Sequence, residues 1–219
     1  MLDCDRFSVS YGPVTVHFPL MNTTFRTPEE LWRACWKLLN RARADKKHPY
    51  ATPVVSSVDA EGLPSSRVLV LRTCEESAGW LEGYTDRRSA KAGHLHHPEA
   101  QFSWLFWDPK KQLQLRARGR TEFLPAEISS ATFDQLPKHS RKAYATPEAP
   151  GTPLAEAGDG LPDDWDSRDL SATDYARDNF GIFRTTIETA DILYLNRDGH
   201  RRVSAQRAPE GWDFRWVVP

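Results

Sequence analysis

The sequence predicts a mainly β, α+β protein: an antiparallel barrel or sandwich with a few helices at its periphery. Three observations carry this. Most apolar runs are short and end in turn signals at hairpin spacing, such as residues 59–62 (DAEG) and 196–199 (NRDG). Few long segments show helical periodicity. Residues 65–72 (SSRVLVLR) place Val68 and Val70 on one face and Leu69 and Leu71 on the other, so this strand is expected to be buried on both sides, as in a closed or packed barrel.

The elements follow in order. Residues 14–18 (VTVHF) alternate and suit a short strand. Thr27-Pro28-Glu29-Glu30 opens a helix: Thr27 can cap, Pro28 suits the first turn, and Glu30 completes a capping box at the positive helix end. Leu31, Cys35, Leu38, Leu39 and Ala42 then recur at helical spacing, which carries the helix to about residue 45. Residues 51–59 and 65–72 form a hairpin, and residues 80–85 a third strand. A helix of about two turns spans 89–97 and stops at Pro98. Residues 100–107 and 112–124 are the fourth and fifth strands, joined by the Asp108-Pro109 turn, and residues 125–136 look helical. Residues 145–166 are rich in Pro, Gly and acids without a period, and read as a long surface loop. Strands return at 180–188, 191–196, 200–206 and 212–218. A single domain over 1–219 is expected, with its core in 27–136 and 178–219.

With 219 residues, 39% hydrophobic and 27% charged, the chain can bury a sizeable core and is not wholly disordered. A net charge of −1 gives no global basic field, so neither nucleic acid nor an anionic membrane is expected as a partner. Cys4, Cys35 and Cys74 are scattered and form no C-x-x-C pair, and the first residues carry acids and no apolar core of a signal. No apolar run reaches the length of about 18 residues that a membrane helix requires. A soluble, cytoplasmic protein in a reducing compartment is expected.

The cations are therefore local features. Arg67, Arg72, Tyr84, Thr85, Arg87, Arg88, Ser89 and Lys91 gather at strand ends and at a helix start, where Ser89 can cap and backbone N–H groups with Lys91 can hold a phosphate. A solvated helix start is the plainer reading of the same residues. Arg67 and Arg72 close opposite ends of one strand, about 17 Å apart at the strand rise, so they serve different parts of a ligand or different ligands. His94, His96 and His97 lack an evident further ligand, and no metal site is expected. Trp104 and Trp107 read as core or interface. No G-x-S-x-G, phosphate-loop or dinucleotide fingerprint occurs, and no catalytic residue is assigned.

Taken together, residues 52–124 resemble the pyridoxamine 5′-phosphate oxidase-like, FMN-binding split-barrel family. The resemblance rests on VSSVDAEGLPSSRVLVLR, the YTD-RRSAK segment, the helix ending in His96-His97-Pro98, and QLQLRARGRTEFL. It implies FMN as cofactor, bound by Arg67, Val68, Leu69, Val70, Arg72, Tyr84, Thr85, Arg88, Ser89, Lys91 and Gln114, at the interface of a homodimer. Ala90 stands where the family often has Arg. The resemblance also marks departures from the oxidase proper. Thr132 and Leu136 occupy the positions of a substrate-binding Tyr and Arg, and Ser140 alone survives there. Arg72 replaces a lysine, and Leu195 a tryptophan. Arg201 keeps the first arginine of an R-x-H-x-R motif, followed by Val203 and Ala205, with Arg207 nearby. The looser branch of the family with an A-P-G-rich connection matches SRKAYATPEAPGTPL best.

The reading is an FMN-binding oxidoreductase without efficient pyridoxine-phosphate oxidation, with Arg72, Ser140 and Arg201 as the groups for an anionic substrate. The alternatives are a flavin-binding protein that senses or stores FMN without turnover, or the same barrel holding haem (His94 or His200 as nominees for an axial ligand) or a deazaflavin.

Overall fold

The computed structural model describes residues 25–97 and 99–219. The expected strand at 14–18, Cys4 and the helix stop at Pro98 lie outside the described residues. α1, Pro28–Ala44, forms for the reasons its sequence states: Thr27 Oγ1 accepts from the Glu30 N–H, and the Glu30 carboxylate accepts from the Thr27 N–H, a complete capping box. Its apolar stripe buries Leu31, Cys35, Trp36 and Leu39, and Trp32 packs on Trp212 with ring centroids 4.5 Å apart.

Among the described residues nine strands form one wholly antiparallel sheet. They are β1 Val54–Val58, β2 Pro64–Val68, β3 Thr73–Glu75, β4 Trp80–Asp86, β5 Gln101–Asp108, β6 Leu113–Phe123, β7 Phe180–Tyr194, β8 Arg201–Ala208 and β9 Gly211–Val217. Their order is β2-β1-β5-β6-β7-β4-β3, with β8 on β7 and β9 on β8. Between β4 and β5 lies α2, Ala90–Gly93; α3, Ala126–Asp134, and the one-turn α4, Lys138–Arg141, follow β6. This is the split β-barrel with peripheral helices that the sequence predicts.

Alternation sets the two faces. In β6, Leu113, Leu115, Ala117 and Thr121 point inward while Arg116, Arg118 and Arg120 point out. The interior is aromatic: Trp104 stacks on Phe106 and tilts against Phe183, which meets Phe102 edge-on. The Trp104 Nε1–H donates to Thr185 Oγ1 (2.9 Å), which pairs with Thr121 Oγ1 (2.8 Å), so the polar atoms of these three side chains are satisfied. A second apolar cluster unites Phe133 of α3, Tyr144, Trp165, Ala176, Phe180 and Ile182.

Four expectations are corrected. The strand expected over 65–72 ends at Val68, and it is not buried on both faces: Val68 is 64% and Val70 40% exposed, while Leu71 is buried. The chain leaves β2 there because it crosses to β3, a strand too short for the sequence to announce. The two-turn helix expected over 89–97 is one α-helical turn followed by a 3₁₀ turn, His94–His96. The strands expected at 180–188 and 191–196 are one strand of 15 residues, continuous through Ala190.

The register of β6 on β7 shifts between Arg118 and Gly119. A Cβ on Gly119 would stand 1.8 Å from the Thr186 carbonyl oxygen, a clash with backbone that no side-chain movement relieves. Gly119→Ala is expected to cost about 1–3 kcal/mol or more, read as a lower midpoint of urea unfolding; an unchanged midpoint would show that the bulge can open without loss.

Candidate functional site

The site is built where β1, β2 and the end of β4 meet α2. Arg67 lies opposite Val55, and its side chain runs over the inward face of the β1–β2 hairpin. Nη1 donates to the Val55 carbonyl (3.2 Å) and to Ser57 Oγ (2.8 Å), and Nη2 donates to Ser65 Oγ (2.9 Å). Three of its five N–H groups are thus used, leaving Nε–H and one Nη2–H for a ligand. Ser57 Oγ also pairs with His94 Nδ1 at 2.8 Å, which ties Arg67 to the 3₁₀ turn after α2.

From the other side comes Lys91. Its Nζ donates to Ser89 Oγ (3.0 Å), and Ser89 in turn donates to the Asp86 carbonyl (2.7 Å) and pairs with Thr85 Oγ1 (3.2 Å). Ser89 therefore does not cap α2, as the sequence suggested, but holds the lysine. Burial, and then the neighbouring Arg67 charge, hold the Lys91 pKa below the usual lysine value; burial also lowers that of Arg67. Among the described residues neither cation has a carboxylate within ion-pair distance. α2 has only four residues, so its dipole adds little, and the cations carry the electrostatics.

Arg88 differs. Nε and Nη2 grip the Asp86 carboxylate (3.1 and 2.8 Å); Nη1 donates to the Thr146 and Pro147 carbonyls, and Nη2 reaches Thr146 Oγ1. All five N–H groups are committed within the chain, so the phosphate contact expected of Arg88 is corrected: it pins the start of the 145–166 segment. Arg87 is likewise engaged, donating to the Phe180 carbonyl and lying over Phe123.

Next to this cluster the main chain runs out of β2. The N–H groups of Leu69, Leu71 and Arg72 donate to Pro53, Ala51 and Glu82 carbonyls. The Val70 N–H has no acceptor among the described residues. The Arg72 guanidinium stands 4.7 Å over the Tyr84 ring. Gln114 is placed elsewhere: it pairs with Trp107 and Leu193 on the outward face, beyond the inward-pointing Arg67. Arg201 lines a cavity of about 400 Å³ with His200 and Trp216, and Ser140 lies on α4. Arg207 donates from Nε and Nη2 to the Ile187, Ala78 and Gly79 carbonyls, which ties it to the β3–β4 turn and the middle of β7. The structure thus brings Arg67, Thr85, Ser89 and Lys91 together, with Val70, Arg72 and Tyr84 beside them, and leaves Gln114, Ser140 and Arg201 apart. Ser57, Ser65 and His94 are the members that the sequence reading missed; only the shared inward face of Ser57, Ser65 and Arg67 could have signalled two of them.

Two unneutralised cations with spare N–H donors, flanked by hydroxyls, have the chemistry of a phosphate cradle, and they fit the phosphate of a nucleotide cofactor. They lie within residues 30–125, which match the family model for the pyridoxamine 5′-phosphate oxidase FMN-binding domain. This segment of the chain is similar to the FMN-binding domain of that family. The pyridoxine/pyridoxamine 5′-phosphate oxidase of Chromohalobacter salexigens is 35% identical over 88 residues, 40% of this chain and 39% of the relative. That of Legionella pneumophila (strain Paris) is 36% identical over 107 residues, 48% and 47% of the two chains. The chain thus spans less than half the length of these curated relatives. A pyridoxamine 5′-phosphate oxidase-related, FMN-binding protein from Nostoc punctiforme superposes with a TM-score of 0.66 at 21% identity, over 86% of this chain and 97% of its own. PhzG from Burkholderia lata 383 does so with a TM-score of 0.62 at 17% identity, over 95% and 100%. These two likenesses establish the fold.

Asp86 is 4% exposed and loses its charged partner when the Arg88 side chain is removed, keeping only the residue 88 N–H. Arg88→Ala is expected to cost about 3 kcal/mol and to speed amide exchange at Ala145, Thr146 and Glu148. Unchanged exchange there would show that the segment is held by other means.

Proposed function

We propose that the chain is an FMN-dependent oxidoreductase that acts as a homodimer, with Arg67 and Lys91 holding the FMN phosphate. The observation that carries this is the pair of half-buried cations without an acid partner among the described residues, inside the matched FMN-binding segment. Thr85 and Ser89 keep the lysine aimed, and the Ser57–His94 pair keeps the arginine aimed. Val68, Leu69 and Val70 line the ring, with the Val70 N–H offered to its polar edge. FMN, when bound, supplies hydride or single-electron transfer; the side chains hold it, exclude water from one face and position what approaches the other.

The dimer is supported by what one chain leaves uncovered. The outward face of β2-β1-β5 carries Val58, Val68 and Trp107, 55%, 64% and 38% exposed, and Gln114 faces the same way. A second copy meeting this face by two-fold symmetry covers the apolar residues and carries Gln114 towards the partner's flavin.

A second reading, flavin binding without turnover, is favoured by one observation. Where the resemblance to the oxidase places Tyr and Arg, Thr132 donates to the Ile128 carbonyl and Leu136 packs on the second apolar cluster, so neither offers a substrate a charge.

The purified protein is expected to be yellow with FMN near one per chain. Arg67→Ala and Lys91→Ala each remove a charge-assisted contact and are expected to weaken FMN binding by roughly 10- to 100-fold, measured by flavin fluorescence titration. A double variant that retains full FMN would overturn the assignment. Reduction of the bound flavin by no pyridine nucleotide, with reoxidation yielding no product, would favour the second reading.

A further inference from the structure

A cavity of about 940 Å³ opens between α1 and the turn that joins β5 to β6, and it shares no lining residue with the cradle of Arg67 and Lys91. Cations line it from two sides. Arg33 and Lys37 come from α1 and Arg26 from the entry to that helix, while Lys110 and Lys111 come from the turn. Among the described residues none of the five has a carboxylate within ion-pair distance. The acid on the wall, Glu30, is already engaged, accepting from the Arg26 and Thr27 N–H groups. Arg33 spends one N–H on the Glu29 carbonyl and keeps the rest of its fork free among the described residues. It stands one helical turn from Lys37, a like-charge pair that weakens a helix rather than supporting it. The floor is apolar and bears rings: half-buried Phe25 and Tyr194 meet edge-on with centroids 5.1 Å apart, beside Leu38 and Leu113. The Tyr194 hydroxyl accepts from the Asn196 amide (3.3 Å), which fixes the ring.

We propose that this cavity is a second ligand site, which takes a nucleotide bearing two or more linked phosphates. Size, charge and floor select that chemistry together. Ligand cavities run to roughly 300–1,000 Å³, so this one holds a ring with a charged chain rather than a lone ion. Cations gathered on two walls with no acid left to answer them call for dense negative charge, which linked phosphates carry and a single carboxylate does not. Arg26 and Arg33 offer planar forks that match phosphate oxygens in pairs, and the lysines add point charges from α1 and from the opposite side. Phe25 and Tyr194 give the base an apolar surface to lie on. A merely solvated basic face explains the exposure of these side chains, but neither the cavity between them nor its aromatic floor. Bound phosphates would relieve the repulsion between Arg33 and Lys37 and tie α1 to the β5–β6 turn. The site stands independently of the flavin reading, since the two share no residue.

The test is calorimetric. Full-length protein with saturating FMN is titrated, in metal-free buffer, with ADP, with adenosine for the ring alone and with pyrophosphate for the charge alone. ADP is expected to bind at least tenfold tighter than either. The double variants Arg33→Gln/Lys37→Gln and Lys110→Gln/Lys111→Gln remove one wall of charge each, and each is expected to weaken ADP about tenfold or more. Their FMN content per chain and midpoint of urea unfolding are expected to match the parent, which shows that the fold is intact. Lys46→Gln/Lys47→Gln makes the same change in net charge at exposed residues outside the cavity and is expected to leave ADP affinity unchanged. No ADP binding, pyrophosphate binding as tightly as ADP, or equal weakening in all three double variants would overturn the site. So would release of FMN by ADP, which would put the nucleotide in the Arg67–Lys91 cradle. Protein that binds no FMN would overturn the flavin reading instead, and the comparison of the variants would still decide the cavity.

Discussion

The site depends on one strand being shared three ways. β7 pairs through residues 180–186 with β4, through 183–194 with β6, and through 189–194 with β8. No flat strand can serve β4 and β8 on the same edge in turn; the register shift at Gly119, where Glu188 of β7 is left without a partner on β6, bends it between the two. The first half of β7 thereby carries β4 to the end of the barrel. There the β4 exit, Asp86 to Ser89, is pulled in by the Arg87–Asn179 and Arg87–Phe180 hydrogen bonds. Only with that turn in place does α2 present Lys91 to an arginine on a hairpin some twenty residues earlier. The Trp104–Thr185–Thr121 chain secures the same crossing from inside, joining β5, β7 and β6 by side-chain bonds in a region where an unpaired hydroxyl would be costly.

The basic residues sort themselves by what already answers them. Arg88, Arg141, Arg184 and Arg202 each meet a carboxylate, and Arg141, nearly fully buried, spends further N–H groups on the Leu136, Phe133 and Leu170 carbonyls. These are structural cations. Arg67 and Lys91 stand side by side although each disfavours the other's charge, and burial makes that worse. A fold tolerates such an arrangement when an anion completes it. The distinction does not depend on exposure, since Arg88 is about as accessible as a binding residue should be and yet has no donor to spare.

Much of this was legible in the sequence. The capping box of α1, the β1–β2 hairpin, the alternation along β6 and the cluster of Thr85, Ser89 and Lys91 follow from local rules, and local rules were enough. What was not legible depended on tertiary partners. β3 has three residues and exists because β4 offers it an edge. Arg87 and Arg88 look identical to Lys91 by charge and position; the acid that claims Arg88 was visible two residues away, but the Thr146 and Pro147 carbonyls that finish the claim lie some 58 residues on. Tyr144 carried no signal at all, because a lone tyrosine in a Pro-rich stretch gains meaning only when folding sets it on Phe180.

The misreading of residues 65–72 has a different cause. Apolar side chains on both faces of a strand state that both faces need cover, and the inference that one chain supplies both covers adds a premise that periodicity does not contain. Here the inward side is met by the barrel, with Leu71 buried and Leu69 packed against the core, while Val68 and Val70 face out beside Val58 and Trp107. The pattern was therefore sound and the assignment of the cover was not. A second copy is the proposed cover because the exposed valines are continuous with the stretch proposed to line the flavin, and because Gln114 points out of its own chain on that same face. In the proposed dimer an apolar surface meeting its own image would set two cofactor cradles at the seam, each completed by a residue that its own chain directs away.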